Sequence, residues 1–326
     1  MHGIPKGLVF AIYYPFIATI GVPANLSVIL IQSRRRCGLS RCTTDYLISM
    51  AVADFLVILV AGILNRIAGI YFRKSFLSIT PVCSLRSTLI YTSIDISVWL
   101  TVAFTFDRFV AICCQKLKLK HCTKKRATLI IGVISTVCCL TKSVVYFIYE
   151  PLYIIENVPW FCRVKSIFYT SWAWVTYDWF YRILTPCLPF ILILFLNVLT
   201  VRHILLASRA RRRLRVQNDE NNQSDTEIDS RRKSIVLLFA ISGSFILFYS
   251  LYFVTFLLVR ISRLTYFSGS NYTNSNFILE ETGFMLQLLS SCINPFIYAG
   301  TQSKFRAELK NGLKFPLSII VKLYKR

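Results

Sequence analysis

The chain has 326 residues, 55% of them hydrophobic and 16% charged, with a mean hydropathy of +0.56. A soluble domain carries about a quarter charged residues, so the deficit points to helices facing lipid, whose interior rejects charge. A net charge of +23 invites a nucleic-acid reading, but the cations lie in short clusters between apolar runs, not on one soluble face, which excludes it.

A bilayer core takes about 20 apolar residues per helix, more if the helix tilts. Runs of that length are expected near 8–32, 44–68, 83–113, 127–149, 174–206, 233–260 and 277–300. The third, fifth and sixth are long enough to extend into water. No cleavable signal peptide, internal repeat or soluble domain is evident. The expected organisation is an N-terminal segment over 1–7, a membrane domain over 8–300 and a tail over 301–326. Within it, about 207–232 is the one long polar segment, and Asn218-Asp219-Glu220-Asn221-Asn222-Gln223-Ser224 reads as a disordered loop.

The basic residues orient the spans. Arg34, Arg35, Arg36 and Arg41 follow the first, and Lys116, Lys118, Lys120, Lys124, Lys125 and Arg126 follow the third. Arg209, Arg211, Arg212, Arg213 and Arg215 follow the fifth, and Lys304, Arg306 and Lys310 follow the seventh. The alternate loops hold scattered cations such as Arg73, Lys74, Arg163 and Lys165. The N-terminus is therefore expected outside and the C-terminus inside, in a multi-pass plasma-membrane protein. The sequon Asn271-Tyr272-Thr273 then falls in the last external loop, where Asn271 is a glycosylation candidate. Eleven cysteines look like a disulfide framework, but most lie inside apolar runs, where a reduced cysteine is a small hydrophobe.

Two motifs close apolar spans at the end expected inside. Asp107-Arg108-Phe109 ends the third, and Asn294-Pro295-Phe296-Ile297-Tyr298 ends the seventh. Pro295 removes a backbone donor and bends its helix. Beyond Tyr298, the stretch Ser303 to Lys310 places apolar and basic residues at the spacing of an amphipathic helix lying on the inner leaflet. With Gly21-Val22-Pro23-Ala24-Asn25, Asp45-Tyr46-Leu47 through Ala53-Asp54, and Ser97 to Val102, these motifs make the chain resemble the rhodopsin-like (class A) G protein-coupled receptors. The resemblance runs from Gly21 to about Lys310 and is nearest in character to the orphan group around G protein-coupled receptor 139. It implies an all-α membrane protein: a seven-transmembrane helix bundle with a short amphipathic eighth helix.

By that resemblance, Arg108 pairs with Asp107 at rest and turns toward a heterotrimeric G protein when the sixth helix moves outward, while Tyr298 swings inward. Phe109 stands where Tyr is commoner. Val98, Pro189 and Phe245 match a trio that transmits ligand binding to helix movement. Tyr249 takes the place of a usual Trp in this transmission region, and Leu251 that of a kink proline. Asn197 stands where many members have a Tyr that meets the active Arg108, and the fourth span lacks its usual Trp. Arg231 occupies the place of an acidic partner for Arg108 found in some relatives. Cys83 and Cys162 match the family's disulfide.

Asn25, Asp54 and Asn294 fall on the family's polar cluster, with Ser97, Ser290 and Ser291 completing it. A mid-span carboxylate needs a partner, and two readings stand. A hydrated sodium ion would sit at Asp54, Ser97, Ser290 and Asn294, or Asp54 would be a hydrogen-bonded core residue with no ion. No other cofactor is expected.

The ligand region is expected at Tyr91, Asp95, Tyr181, Arg182, Tyr252, Phe256, Glu281 and Phe284, with Tyr177, Asp178, Tyr249 and Phe253 near them. Ile90 stands where amine receptors have Asp, and Leu288 where opsins have their retinal lysine. Aromatic walls with both charge signs suit a zwitterion or a peptide terminus. Asp95 and Arg182 are each costly within a span, so they are expected to face one another or a ligand.

The function expected is that of a receptor for an extracellular small-molecule or short-peptide ligand. Its partners would be a heterotrimeric G protein, arrestin, receptor kinases and the bilayer, with no nucleic acid. An olfactory-type chemosensor and a non-signalling decoy are the alternatives. A transporter would show duplicated halves or interrupted spans. An intramembrane enzyme would need clustered catalytic groups, whereas His2, His121 and His203 all lie away from mid-span.

Overall fold

The computed structural model describes residues 7–35, 37–215, 225–261 and 275–312. Seven long helices stand among the described residues. They are α1 Leu8–Ser33, α2 Arg41–Tyr71, α3 Thr80–Cys113 and α4 Lys124–Ile148, followed by α5, α6 and α7. Helix α5 runs Trp172–Arg182 and Leu188–Arg215 across a π-type turn, Ile183–Cys187. Helix α6 is Asp225–Ile261 and α7 is Ser275–Thr301. A shorter helix, α8, covers 303–312.

Helices α1 to α6 contain segments long and apolar enough to cross a bilayer. Helix α7 is of similar length but carries Glu280, Glu281, Gln287, Ser290, Ser291 and Asn294, all buried. The faces are those of a membrane bundle. On α1, Leu8, Ile12, Phe16 and Leu30 are exposed, while Tyr14, Asn25 and Gln32 are buried. Of the candidate spans α3 is the most buried and α4 the least, so α3 is the axis on which the sites are built.

Of the polar segment 207–232, residues 207–215 and 225–232 are helical, and the stretch 218–224, expected to be a disordered loop, lies outside the described residues. Helix α5 continues to Arg215 and α6 begins at Asp225. A polar composition does not stop a helix whose apolar part is already held in a bundle.

Prolines inside helices leave carbonyls that need other donors. Pro15 of α1 is matched by Tyr71, whose hydroxyl donates to the Ala11 carbonyl at 2.9 Å. Arg306 of α8 closes α7 in the same way, donating to the carbonyls of Ala299 and Gly300 at 2.8 and 3.0 Å. Cations suit this position because the last carbonyls of a helix lack helical partners.

The connection from α4 to α5 is a β-hairpin. Strand β1 (Tyr149–Glu150) pairs with β4 (Arg163–Val164), and β2 (Tyr153–Ile155) pairs with β3 (Val158–Trp160). Glu156 and Asn157 make the tip with φ of 50° and 59°, the doubly left-handed geometry that fits the twist of a two-residue hairpin. A disulfide joins Cys83 at the start of α3 to Cys162 in the hairpin, with Cα atoms 6.2 Å apart. The Phe161 amide also donates to the Ser78 carbonyl at 2.6 Å, so the hairpin is tied across the mouth of the bundle.

Candidate functional site

At one end of α3, Arg108 is folded back on its neighbour. Its Nε donates to Asp107 Oδ2 at 3.1 Å and its Nη2 bonds the same oxygen. The other oxygen of Asp107 accepts from the Cys42 thiol at 3.1 Å. The carboxylate is thus divided between a guanidinium and a thiol, and both residues of the pair are buried. Phe109 is half-buried beside them. Cys122, in the loop before α4, places its thiol 3.7 Å from the Asp107 carbonyl. Burial, and then the Asp107 carboxylate, push that thiol up to about 12.

Tyr298 sits on the adjacent face of α7, fully buried, and its hydroxyl has no hydrogen-bond partner among the described residues. Its ring meets Phe305 of α8 edge-on at 6.3 Å. Asn197, where the resemblance placed a departure from the usual Tyr, donates to Ser242 Oγ of α6 at 2.8 Å. It therefore ties α5 to α6. The Arg231 side chain lies outside the described residues.

Midway along the bundle, Ser97 donates to Asp54 Oδ1 at 2.6 Å and Asn294 donates to Oδ2 at 2.8 Å. Asn25 donates to the carbonyls of Gly21 and Ser291 at 3.0 and 2.9 Å, while its Oδ1 has no partner among the described residues. Ser290 and Ser291 are buried on the same stretch of α7. Oxygen donors around one carboxylate suit a hard monovalent cation, so the residues present fit the sodium reading. Both carboxylate oxygens are also already hydrogen-bonded, as the ion-free reading requires.

Above this cluster Tyr249 stacks on Phe245, centroids 4.4 Å apart. Val98, Phe245 and Tyr249 share one buried apolar cluster, and Pro189 is buried on α5 after the π-type turn. Helix α6 runs unbroken through Leu251.

A cavity of about 280 Å³ lies between these residues and the hairpin. Of the expected ligand residues, Tyr91, Asp95, Tyr181, Tyr252 and Phe284 line it, as do Tyr177, Asp178 and Tyr249. Glu281 does not line it: it is buried behind the wall at 1% exposure, accepting from Arg66 and Tyr14. Phe253 is turned aside as well, stacked on Phe190 at 5.6 Å. The side chains of Arg182 and Phe256 lie outside the described residues, as does Asn271.

The partner that Asp95 shows is Lys142 of α4, at 3.3 Å, with both side chains 4% exposed. The expectation that Asp95 faces Arg182 or a ligand falls on a side chain outside the described residues. Thr185 adds a 3.5 Å hydrogen bond to Asp95, and the Lys142 ammonium lies 2.8 Å from the centroid of the Tyr181 ring. A second buried pair joins Arg66 Nη2 to Glu281 Oε1 at 2.6 Å.

Sequence reasoning missed both cations, although a charged residue inside a span is the signal it applied to Asp95. Arg66 belongs to a π-helical segment, Ile58–Ile67. That winding changes the phase of α2, and the residue cannot be assigned to the interior by α-helical periodicity. The hairpin adds Tyr149, Arg163 and Val164 to the lining.

Residues 24–298 match the profile of a family described as "7 transmembrane receptor (rhodopsin family)". The neuromedin-U receptor 2 of Mus musculus is 26% identical over 316 residues, covering 92% of this chain and 74% of that protein. The thyrotropin-releasing hormone receptor of Gallus gallus is 34% identical over 116 residues, 35% of this chain and 28% of that receptor. The pyrokinin-1 receptor of Drosophila melanogaster is 30% identical over 102 residues, 31% of this chain and 23% of its own. The chain thus spans about a quarter of two of these relatives and three quarters of the third.

Proposed function

The chain belongs to the rhodopsin family of seven-transmembrane receptors, and from that premise we propose that it couples an external ligand to a heterotrimeric G protein. One observation carries the proposal. The same helix, α3, lines the cavity with Tyr91, Asp95 and Val98 and ends in the Asp107–Arg108 pair. A ligand that favours another packing of α3 against α6 can therefore bias the release of Arg108.

The cavity suits a ligand bearing both charges on an aromatic or apolar body, such as a short peptide or a zwitterion. Supporting this are tyrosine walls and two ion pairs, Asp95–Lys142 and Arg66–Glu281, at or just behind the lining. The names of the relatives, receptors for thyrotropin-releasing hormone, neuromedin-U and pyrokinin, agree with a signalling ligand. The likeness to the orphan group around G protein-coupled receptor 139 rests on the sequence segments alone.

We infer that the Arg108 end lies in the cytoplasm and that the hairpin and the N-terminus lie outside, a reading the basic clusters support. Arrestin and receptor kinases are proposed as further partners at that cytoplasmic end. Asp54, Ser97, Ser290 and Asn294 are proposed to hold sodium, whose charge would neutralise Asp54 and favour the resting packing. Asn271 is proposed as a glycosylation site.

The test is nucleotide exchange on co-expressed G proteins, read first without ligand, for the wild type beside Arg108→Ala. Exchange that falls to background in the variant is the expected result. Exchange that is identical in both would remove the basis of the proposal.

A further inference from the structure

Arg66 and Glu281 differ in how they meet the cavity. Arg66 lines it, whereas Glu281 lies behind the wall, where Tyr14 of α1 donates to its second oxygen at 2.9 Å. The guanidinium therefore stands between a resident carboxylate and the open space. Phe284 supports it, its ring centroid 4.4 Å from Arg66 Cζ. A buried ion pair is a weak source of stability, because desolvating both charges offsets their attraction. A pair at a cavity wall has another use, since a chemically similar group from outside can take the acid's place. A guanidinium is suited to this exchange: its planar fork takes a carboxylate along an edge. Lys142, the other buried cation of the wall, is held differently. Its acid, Asp95, itself faces the cavity, and its ammonium is packed on Tyr181.

We propose that Arg66 is the anion-recognition residue of the cavity and takes a ligand carboxylate in exchange for Glu281. The occupant is a carboxylate carried on an aromatic or flat apolar body, because Phe284, Tyr252 and Tyr249 form the neighbouring wall. The displaced Glu281 keeps the Tyr14 hydrogen bond and takes up a proton from solvent, so that no lone charge stays buried. Its release from α2 loosens α7, the helix that carries Asn294 to Tyr298 at its other end. The inference rests on the receptor reading for its biological setting, but its chemistry is tested separately.

The experiment is thermal unfolding of the full chain in lipid nanodiscs with phenylacetate and with its neutral analogue phenylacetamide. Phenylacetate should raise the unfolding midpoint and phenylacetamide should not. Glu281→Gln removes the competing charge and keeps the shape, so it should respond to phenylacetate at a concentration at least about tenfold lower. The double variant Arg66→Gln/Glu281→Gln buries no lone charge and should fold but ignore phenylacetate. Equal shifts with the two compounds overturn the proposal, as does a phenylacetate shift that persists in the double variant. Absence of any shift in both wild type and Glu281→Gln overturns it too. If Glu281→Gln does not fold, the comparison of wild type with the double variant decides. Ligand-free nucleotide exchange and its loss in Arg108→Ala, read on the same preparations, keep failure here distinct from failure of the receptor reading.

Discussion

Asn25 of α1 donates its side-chain amide to the Ser291 carbonyl of α7 at 2.9 Å, the carbonyl that Pro295, four residues on, leaves without its helical donor. The hydrogen bonding of α7 is thus completed from another helix. Replacing Asn25 by Leu strands a buried acceptor, and should cost about 1–3 kcal/mol, read as a lower unfolding midpoint in nanodiscs. Tyr71→Phe, opposite Pro15, removes an exposed bond and should cost no more than about 0.5 kcal/mol.

Lys142→Met leaves Asp95 buried without its ion-pair partner. A loss of about 3–5 kcal/mol is expected, while Asp95→Asn/Lys142→Met should recover most of it. A double-mutant cycle on thermal stability measures the coupling. Additive losses would show that the pair, at 3.3 Å, does not act as a unit.

Asp107→Asn removes the charge that holds Arg108 back. Ligand-free nucleotide exchange should rise, by about tenfold for each 1.4 kcal/mol of lost bias. The check is the exchange rate normalised to receptor at the cell surface.

The Tyr298 hydroxyl is buried with no partner among the described residues. Tyr298→Phe should therefore leave thermal stability unchanged or raise it by up to about 1 kcal/mol. Its effect on G-protein activation should run the other way, since an inward swing of Tyr298 would give that hydroxyl a partner. Loss of stability would mean that the hydroxyl is already engaged.

The Cys122 thiol, held up at about 12 by burial and the Asp107 carboxylate, is almost wholly protonated at neutral pH. A raised thiol value means that the reactive thiolate is lost as pH falls below it. Alkylation of Cys122 in solubilised receptor should then be slow at neutral pH and rise about tenfold per pH unit over the alkaline range below that value. Peptide-resolved mass spectrometry, with Cys114 at the end of α3 as internal comparison, reads the rates.

The seven-helix architecture was legible because bilayer thickness fixes the length of an apolar run, and the Asp107–Arg108 pair was legible because its partners are adjacent. The sites between helices were not. Glu281 reads as a cavity residue until Arg66 and Tyr14 draw it behind the wall. Lys142 reads as a cation near the end of a lipid-facing helix until Asp95 and Tyr181 receive it. In both cases the deciding fact is the rotation of one helix against another, and in α2 a π-helical segment alters that rotation. The hairpin escaped notice because its strands are two or three residues long, too short for alternation to register.

Helix α6 contains no proline from Asp225 to Ile261 and is tied to α5 where Asn197 meets Ser242. A helix without a proline hinge, gripped at an intermediate point, behaves as a lever. From Ser242 to Asp225 the helix measures about 25 Å at 1.5 Å per residue. A tilt of about 10° around that grip would carry the far tip about 4 Å sideways, with nothing absorbed by a bend. Where a kinked helix can swing one arm and leave the other still, this one must move its ligand-side arm in proportion. Any space opened at the Arg108 end is matched by a displacement beside Tyr249 and Tyr252 in the opposite direction, so the cavity and the output end share one rigid part.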